Sequence, residues 1–134
     1  MFGAEHGDLA LVKRQLNRGV DINVRNYTGM TPLMRAAEFG KIEVVAYLLY
    51  RGAKIDSQDD IGLTAVGVAA HEGQSEAILM LAQHGANVNL PDREGRTPLM
   101  WATGLSHNDA VDALIRCGAQ VSEQDKPGRT ALNR

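Results

Sequence analysis

One interval, 33 residues, constrains this chain more than anything else in it. Asn26, Asp59, Asp92 and Asp125 stand at that spacing, and each is followed three positions later by a glycine: Gly29, Gly62, Gly95 and Gly128. The same step aligns Thr31, Thr64, Thr97 and Thr130; Leu33, Val66, Leu99 and Leu132; Ala36, Ala69 and Ala102; and Gly19, Gly52, Gly85 and Gly118. Agreement in so many positions marks a single structural unit copied along the chain. One such unit cannot bury both faces of its helices, so the fold is limited to an array in which each unit packs on its neighbours.

The chemistry of residues 26–58 explains the unit. Asn26-Tyr27-Thr28-Gly29 has a turn residue first and glycine last, and an Asn or Asp side chain in that place bonds its own backbone. The tip is therefore a tight, hairpin-like turn. Thr31 offers a hydroxyl to the free N–H groups of a helix start, and Pro32 takes the first helical position, where its missing donor does no harm. Leu33, Ala36 and Ala37 form a small apolar face on a helix of about two turns, which Gly40 ends. Ile42, Val44, Val45, Leu48 and Leu49 predict a second, more apolar helix, and Gly52 supplies the left-handed residue that often follows a helix end. TGMTPLMRAAEFG at residues 28–40 returns as IGLTAVGVAAHEG and EGRTPLMWATGLS.

With DREGRTPLMWAT and HGANVN in place, the chain resembles the ankyrin repeat family over essentially its whole length. The resemblance implies an all-α solenoid of stacked antiparallel helix pairs joined by β-turn or hairpin loops. A single domain is expected over 1–134, with full units at 26–58, 59–91 and 92–124. Residues 1–25 read as a partial N-terminal capping unit, because Met1 aligns with Met34 and Lys13-Arg14-Gln15 makes its outer helix polar. Residues 125–134 read as the start of another unit, either continued in the natural chain or frayed. Within the array, Ala65-Val66 replaces Pro-Leu and predicts a softer helix start, Gly67 falls in mid-helix, and Ser106 replaces the glycine seen at Gly40 and Gly73, which predicts strain if a left-handed residue is needed there. The histidine that often follows Thr-Pro-Leu in the family is absent, with Met34, Gly67 and Met100 in its place. Asn23 and Asn89 match a position hydroxylated in some members, and loop hydrogen bonding is the role read for them.

Composition removes several classes of function. Fourteen Lys and Arg against sixteen Asp and Glu leave a net charge of −2, too balanced for phosphate-dominated nucleic-acid binding. No apolar run reaches the length of a membrane span. MFGAEHGD lacks the segments of a signal peptide, and the single cysteine, Cys117, fits a cytoplasmic setting; a removed leader stays an open alternative, and the location is left unknown. His6, His71, His84 and His107 lack metal-ligand spacing, and neither a nucleophile elbow nor a phosphate loop is present. Glu43, Glu76 and Asp109 align near outer-helix starts, where carboxylates favour the helix dipole. No catalysis, cofactor or metal is expected.

The resemblance implies protein binding on the concave side, formed by turn tips and the inner-helix stripe. Filling those positions from this sequence gives Tyr27, Met30, Ile61, Leu63, Arg93 and Arg96 at the tips, with Lys126 and Arg129 beyond. The stripe carries Phe2, Arg35, Val68 and Trp101 in one column, with Phe39, His71 and Leu105 beside it. The only Trp and both Phe fall in these columns, where the fold requires no bulk, and aromatics beside arginine resemble interface anchors. Packing of Trp101 and Phe39 onto neighbouring units is the competing reading. The expected function is a non-catalytic module, monomeric on its own, that recognises a partner protein. The alternatives are an inhibitor or immunity-like protein that occludes a cognate enzyme, and a structural segment of a longer array.

Overall fold

A computed structural model describes residues 3–119 of the 134-residue chain. Phe2, Lys126, Arg129 and the partial unit expected at 125–134 lie outside the described residues. Among the described residues seven helices follow in order: α1 Leu9–Asn17, α2 Pro32–Glu38, α3 Ile42–Tyr50, α4 Ala65–Glu72, α5 Ser75–Gln83, α6 Pro98–Gly104 and α7 Asn108–Arg116. Among the described residues there is no strand. Connections of a few residues within each unit force its two helices antiparallel. The short inner helices α2, α4 and α6 pack in sequence to form one layer, and the outer helices α1, α3, α5 and α7 form the other.

Each unit starts as its sequence dictates. Asn26 Oδ1 accepts from the backbone N–H groups of Thr28 and Met30, at 2.9 and 3.0 Å; Asp59 Oδ1 does the same for Ile61 and Leu63, and Asp92 Oδ1 for Glu94 and Arg96. Thr31, Thr64 and Thr97 then cap α2, α4 and α6 through their hydroxyls, at 3.3, 3.1 and 3.3 Å. Without a proline at its first position α4 still starts on the Thr64 cap, and it runs eight residues against seven for α2 and α6. Met34 also fills the place of the missing histidine, since its Sδ accepts the Thr31 N–H at 3.5 Å.

The core is a two-sided seam. Leu33, Val66 and Leu99 face it from the inner layer, while Val44, Val45, Leu48, Ile78, Leu81 and Leu114 close it from the outer one, all buried. Ala36, Ala69 and Ala102 are fully buried where inner helices come closest, because only a methyl fits there.

Successive units are also tied by polar contacts. The turn tips join through Asp60 N–H to the Thr28 carbonyl (3.1 Å) and Arg93 N–H to the Ile61 carbonyl (3.0 Å). Gln74 Nε2 donates to the Glu38 carbonyl at 3.1 Å, and His107 Nε2 contacts the His71 carbonyl at 3.0 Å, each reaching back one unit to the end of an inner helix. To do so they cross Gly40 and Gly73, where a Cβ would stand 2.6 Å from Gln74 Oε1 and 2.7 Å from His107 Nδ1. These glycines also adopt φ of 67° and 73°, so two independent constraints exclude a side chain. Ser106 occupies the same position with φ 63°, the only positive φ outside glycine among the described residues, so the expected strain is present. Asn23 Oδ1 accepts from Lys54 N–H at 2.9 Å across the interval, as loop bonding predicts.

Candidate functional site

The tips and inner-helix ends present the side chains singled out from the sequence, but unequally. Tyr27 is 95% exposed, Ile61 52%, and Phe39 and Leu105, which hold one position two units apart, are each 45% exposed. Arg93 and Arg96 are also exposed, while Met30, Arg35, His71 and Trp101 are half-buried.

Leu63 is a correction. Expected at an exposed tip, it is 8% exposed. The cause lies four residues on: Gly67 has no side chain, and the Leu63 Cδ2 lies only 2.9 Å from where its Cβ would be. Leu63 turns into that space, whereas at the same position Arg96, over Met100, is exposed and Met30, over Met34, is only half-buried. Val68 is buried as well, so the expected inner-helix stripe is interrupted at the middle unit. Val68 is the shortest residue in a column whose neighbours are Arg35 and Trp101.

Arg35 does not extend freely. Its Nη1 donates to Glu38 Oε1 at 2.7 Å, and its guanidinium lies 5.0 Å from the Phe39 ring centroid, one face of which it covers. The result is a fixed Glu38–Arg35–Phe39 stack on the second unit.

A larger assembly surrounds Trp101. The indole Nε1–H donates to Asp92 Oδ2 at 3.0 Å, and Arg96 Nε donates to the same oxygen at 3.2 Å. The Arg96 guanidinium then stacks 4.4 Å from the Trp101 ring centroid, and the His71 ring meets the indole edge-on at 4.8 Å. His71 Nδ1 lies 2.9 Å from Glu72 Oε2. Burial pushes the Asp92 carboxyl upward, but hydrogen bonds from Arg96 N–H, the Trp101 indole and Glu94 N–H, with the Arg96 charge, outweigh it and hold the group below the ordinary aspartate value. The structure thus brings His71, Arg96 and Trp101 together in one cluster of contacts. Trp101 packs against the core and the His71 ring of the neighbouring unit, as the packing reading expects, and it stays partly accessible to solvent. Phe39 stays outward.

Asp92 escaped the sequence reading as a site residue because the 33-residue column marks it only as a turn residue. That role uses Oδ1; its second oxygen gains partners where Trp101 takes the place of Arg35 and Val68 and Arg96 takes that of Met30 and Leu63. His84 and Cys117 are the C-cap residues of α5 and α7, and among the described residues no three His, Cys, Asp or Glu side chains converge as metal ligands. Nor is any described helix long and apolar enough to cross a membrane.

Comparison with protein families matches residues 1–92 to a model described as Ankyrin repeats (3 copies) and residues 94–126 to one described as Ankyrin repeat. Comparison with curated proteins gave no match.

Proposed function

Since the chain belongs to the ankyrin repeat family, whose repeats are generally protein–protein interaction modules and typically non-catalytic, we propose that it binds a partner protein across its turn tips and inner-helix ends. One observation carries this reading. Among the described residues, four of the six exposed large apolar side chains, Tyr27, Phe39, Ile61 and Leu105, sit on the tips and inner-helix ends. Arg35 and Arg96 brace Phe39 and Trp101 beside them, so a partner meets surfaces already ordered, which lowers the entropy cost of association.

Affinity capture with the intact protein, repeated with Tyr27→Ala, Phe39→Ala and Leu105→Ala, tests the reading. These residues are exposed, so their loss leaves the fold intact, whereas Trp101→Ala would disturb the Asp92 block and confound the result. Loss of one specific partner is expected. Unchanged associations in all three variants would favour a structural segment of a longer array instead. If the captured partner is an enzyme, its activity with and without the protein separates occlusion from scaffolding.

A further inference from the structure

The opposite side of the molecule carries a second surface. Because the units stack in one direction, the distribution of charge in the sequence is also a distribution in space. Residues 1–58 hold eight Lys and Arg against six Asp and Glu, whereas residues 59–119 hold three against eight. On the outer layer the excess of cations is concentrated. Lys13 and Arg14 lie on α1, Arg18 and Arg51 are the C-cap residues of the neighbouring helices α1 and α3, and Lys54 follows in the next loop. All five are exposed, and none has an ion-pair partner among the described residues.

Tyr47 is the centre of this group. Lys13 Nζ lies 5.4 Å and Arg51 Cζ 5.7 Å from its ring centroid, so one ring gathers a cation from each of two units. Arg51 Nη1 donates to the Tyr47 hydroxyl oxygen at 2.7 Å, which leaves the hydroxyl proton for an incoming acceptor. The Tyr50 ring stands 6.3 Å from Tyr47 and is 82% exposed, an apolar plate at the edge of the cations. Arg14 and Arg18, four apart, repel each other on one helix face, and a bound carboxylate would relieve that repulsion.

We propose that this outer face, centred on Tyr47, docks a short acidic segment of a protein, with carboxylates on Lys13, Arg14, Arg18 and Arg51 and an apolar side chain on Tyr50. The limited extent of the patch selects that occupant. A nucleic acid strand or a lipid surface runs on past two units and meets the acidic half, where Glu76, Asp109 and Asp112 lie on α5 and α7. A short peptide ends before it. Together with the inner face, such a surface would let one molecule hold two partners on opposite sides.

The test uses the intact protein and a fluorescein-labelled, end-capped peptide of glutamate, aspartate and a central leucine, followed by anisotropy at low and high salt. Binding is expected at low salt, weakening as salt screens it. Lys13→Gln with Arg51→Gln is expected to weaken it at least about fivefold, as is Arg14→Gln with Arg18→Gln, a pair that makes no side-chain hydrogen bond of its own among the described residues. Arg93→Gln with Arg116→Gln, which removes cations elsewhere, is expected to leave it unchanged. The proposal is overturned if the peptide does not bind, if the control pair weakens it equally, or if oligothymidylate or phosphatidylserine vesicles bind as tightly as the peptide.

Discussion

Removal of the Asp92 carboxylate should loosen the fourth unit in a way Trp101 itself reports. The residue is 6% exposed and its two oxygens serve four donors: the Glu94 and Arg96 N–H groups through Oδ1, and Arg96 Nε and the Trp101 indole through Oδ2. In Asp92→Ala the two turn N–H groups lose their acceptor in a place water reaches poorly, at about 1 kcal/mol or more each. The other two donors sit on side chains that can turn to water, so the total is about 3 kcal/mol. Asp92→Asn keeps an oxygen for the turn but aims an NH₂ at two donors, which costs about 1.5 kcal/mol. Trp101 is the only tryptophan, so a urea titration read by its emission should rank wild type above Asn and Asn above Ala, with a red-shifted native spectrum in both variants. The same group sets an acid dependence. Its folded value lies below the ordinary one, so its contribution is complete above about pH 4, the ordinary aspartate range, and disappears as pH falls through the folded value. Between pH 5 and pH 2 wild type should therefore lose more stability than Asp92→Asn. Equal stability of Asn and wild type at neutral pH, with parallel acid profiles, would refute the reasoning.

Ser106→Gly should raise thermal stability by about 1 kcal/mol by relieving the left-handed backbone, and calorimetry showing a loss would mean the serine is held by something other than strain. Gly40→Ala and Gly52→Ala both place alanine at positive φ, but only Gly40 has a neighbour, Gln74, in the way; Gly40→Ala should be the worse by about 1 kcal/mol in chemical denaturation, and the gap should close in a Gln74→Ala background. Gly67→Ala should be nearly neutral, because about 1 kcal/mol of helix propensity is offset by displacement of Leu63; in Leu63→Ala it should stabilise by that amount, measured as a double-mutant cycle.

What the sequence disclosed was whatever depends on residues within one unit. Asn26 or Asp at the turn, Thr31 at the cap and Gly40 at the helix end act on their own backbone, so each copy announces the same local geometry, and the period supplies the stacking. Burial of particular side chains depends instead on what the neighbouring positions leave empty. Leu63 reads as a tip residue until the missing side chain of Gly67 is placed beneath it. Asp92 reads as a turn residue until Trp101, nine positions later, is folded back over its second oxygen. The charge division escaped because the total of −2 conceals halves of opposite sign, which matter only in a fold whose long axis follows the chain.

The middle unit explains how stability and recognition are kept apart. From Gly62 to Ala70 every residue is buried, and among the described residues α4 is the one inner helix packed on both sides by others, α2 and α6. Gly67, Ala69 and Ala70 allow that close approach, and the burial of Leu63 and Val68 fills what they vacate. Bulky outward groups at α4 would compete with this packing. Accordingly the braced aromatics stand on the units either side, Phe39 with Arg35 before it and Trp101 with Arg96 after it, while the third unit contributes Ile61 from its tip and the His71 ring from the end of its helix. A large side chain at Val68 would test this division: Val68→Trp should destabilise the array by about 1–3 kcal/mol through overpacking, even though tryptophan is accepted one unit later in the same column.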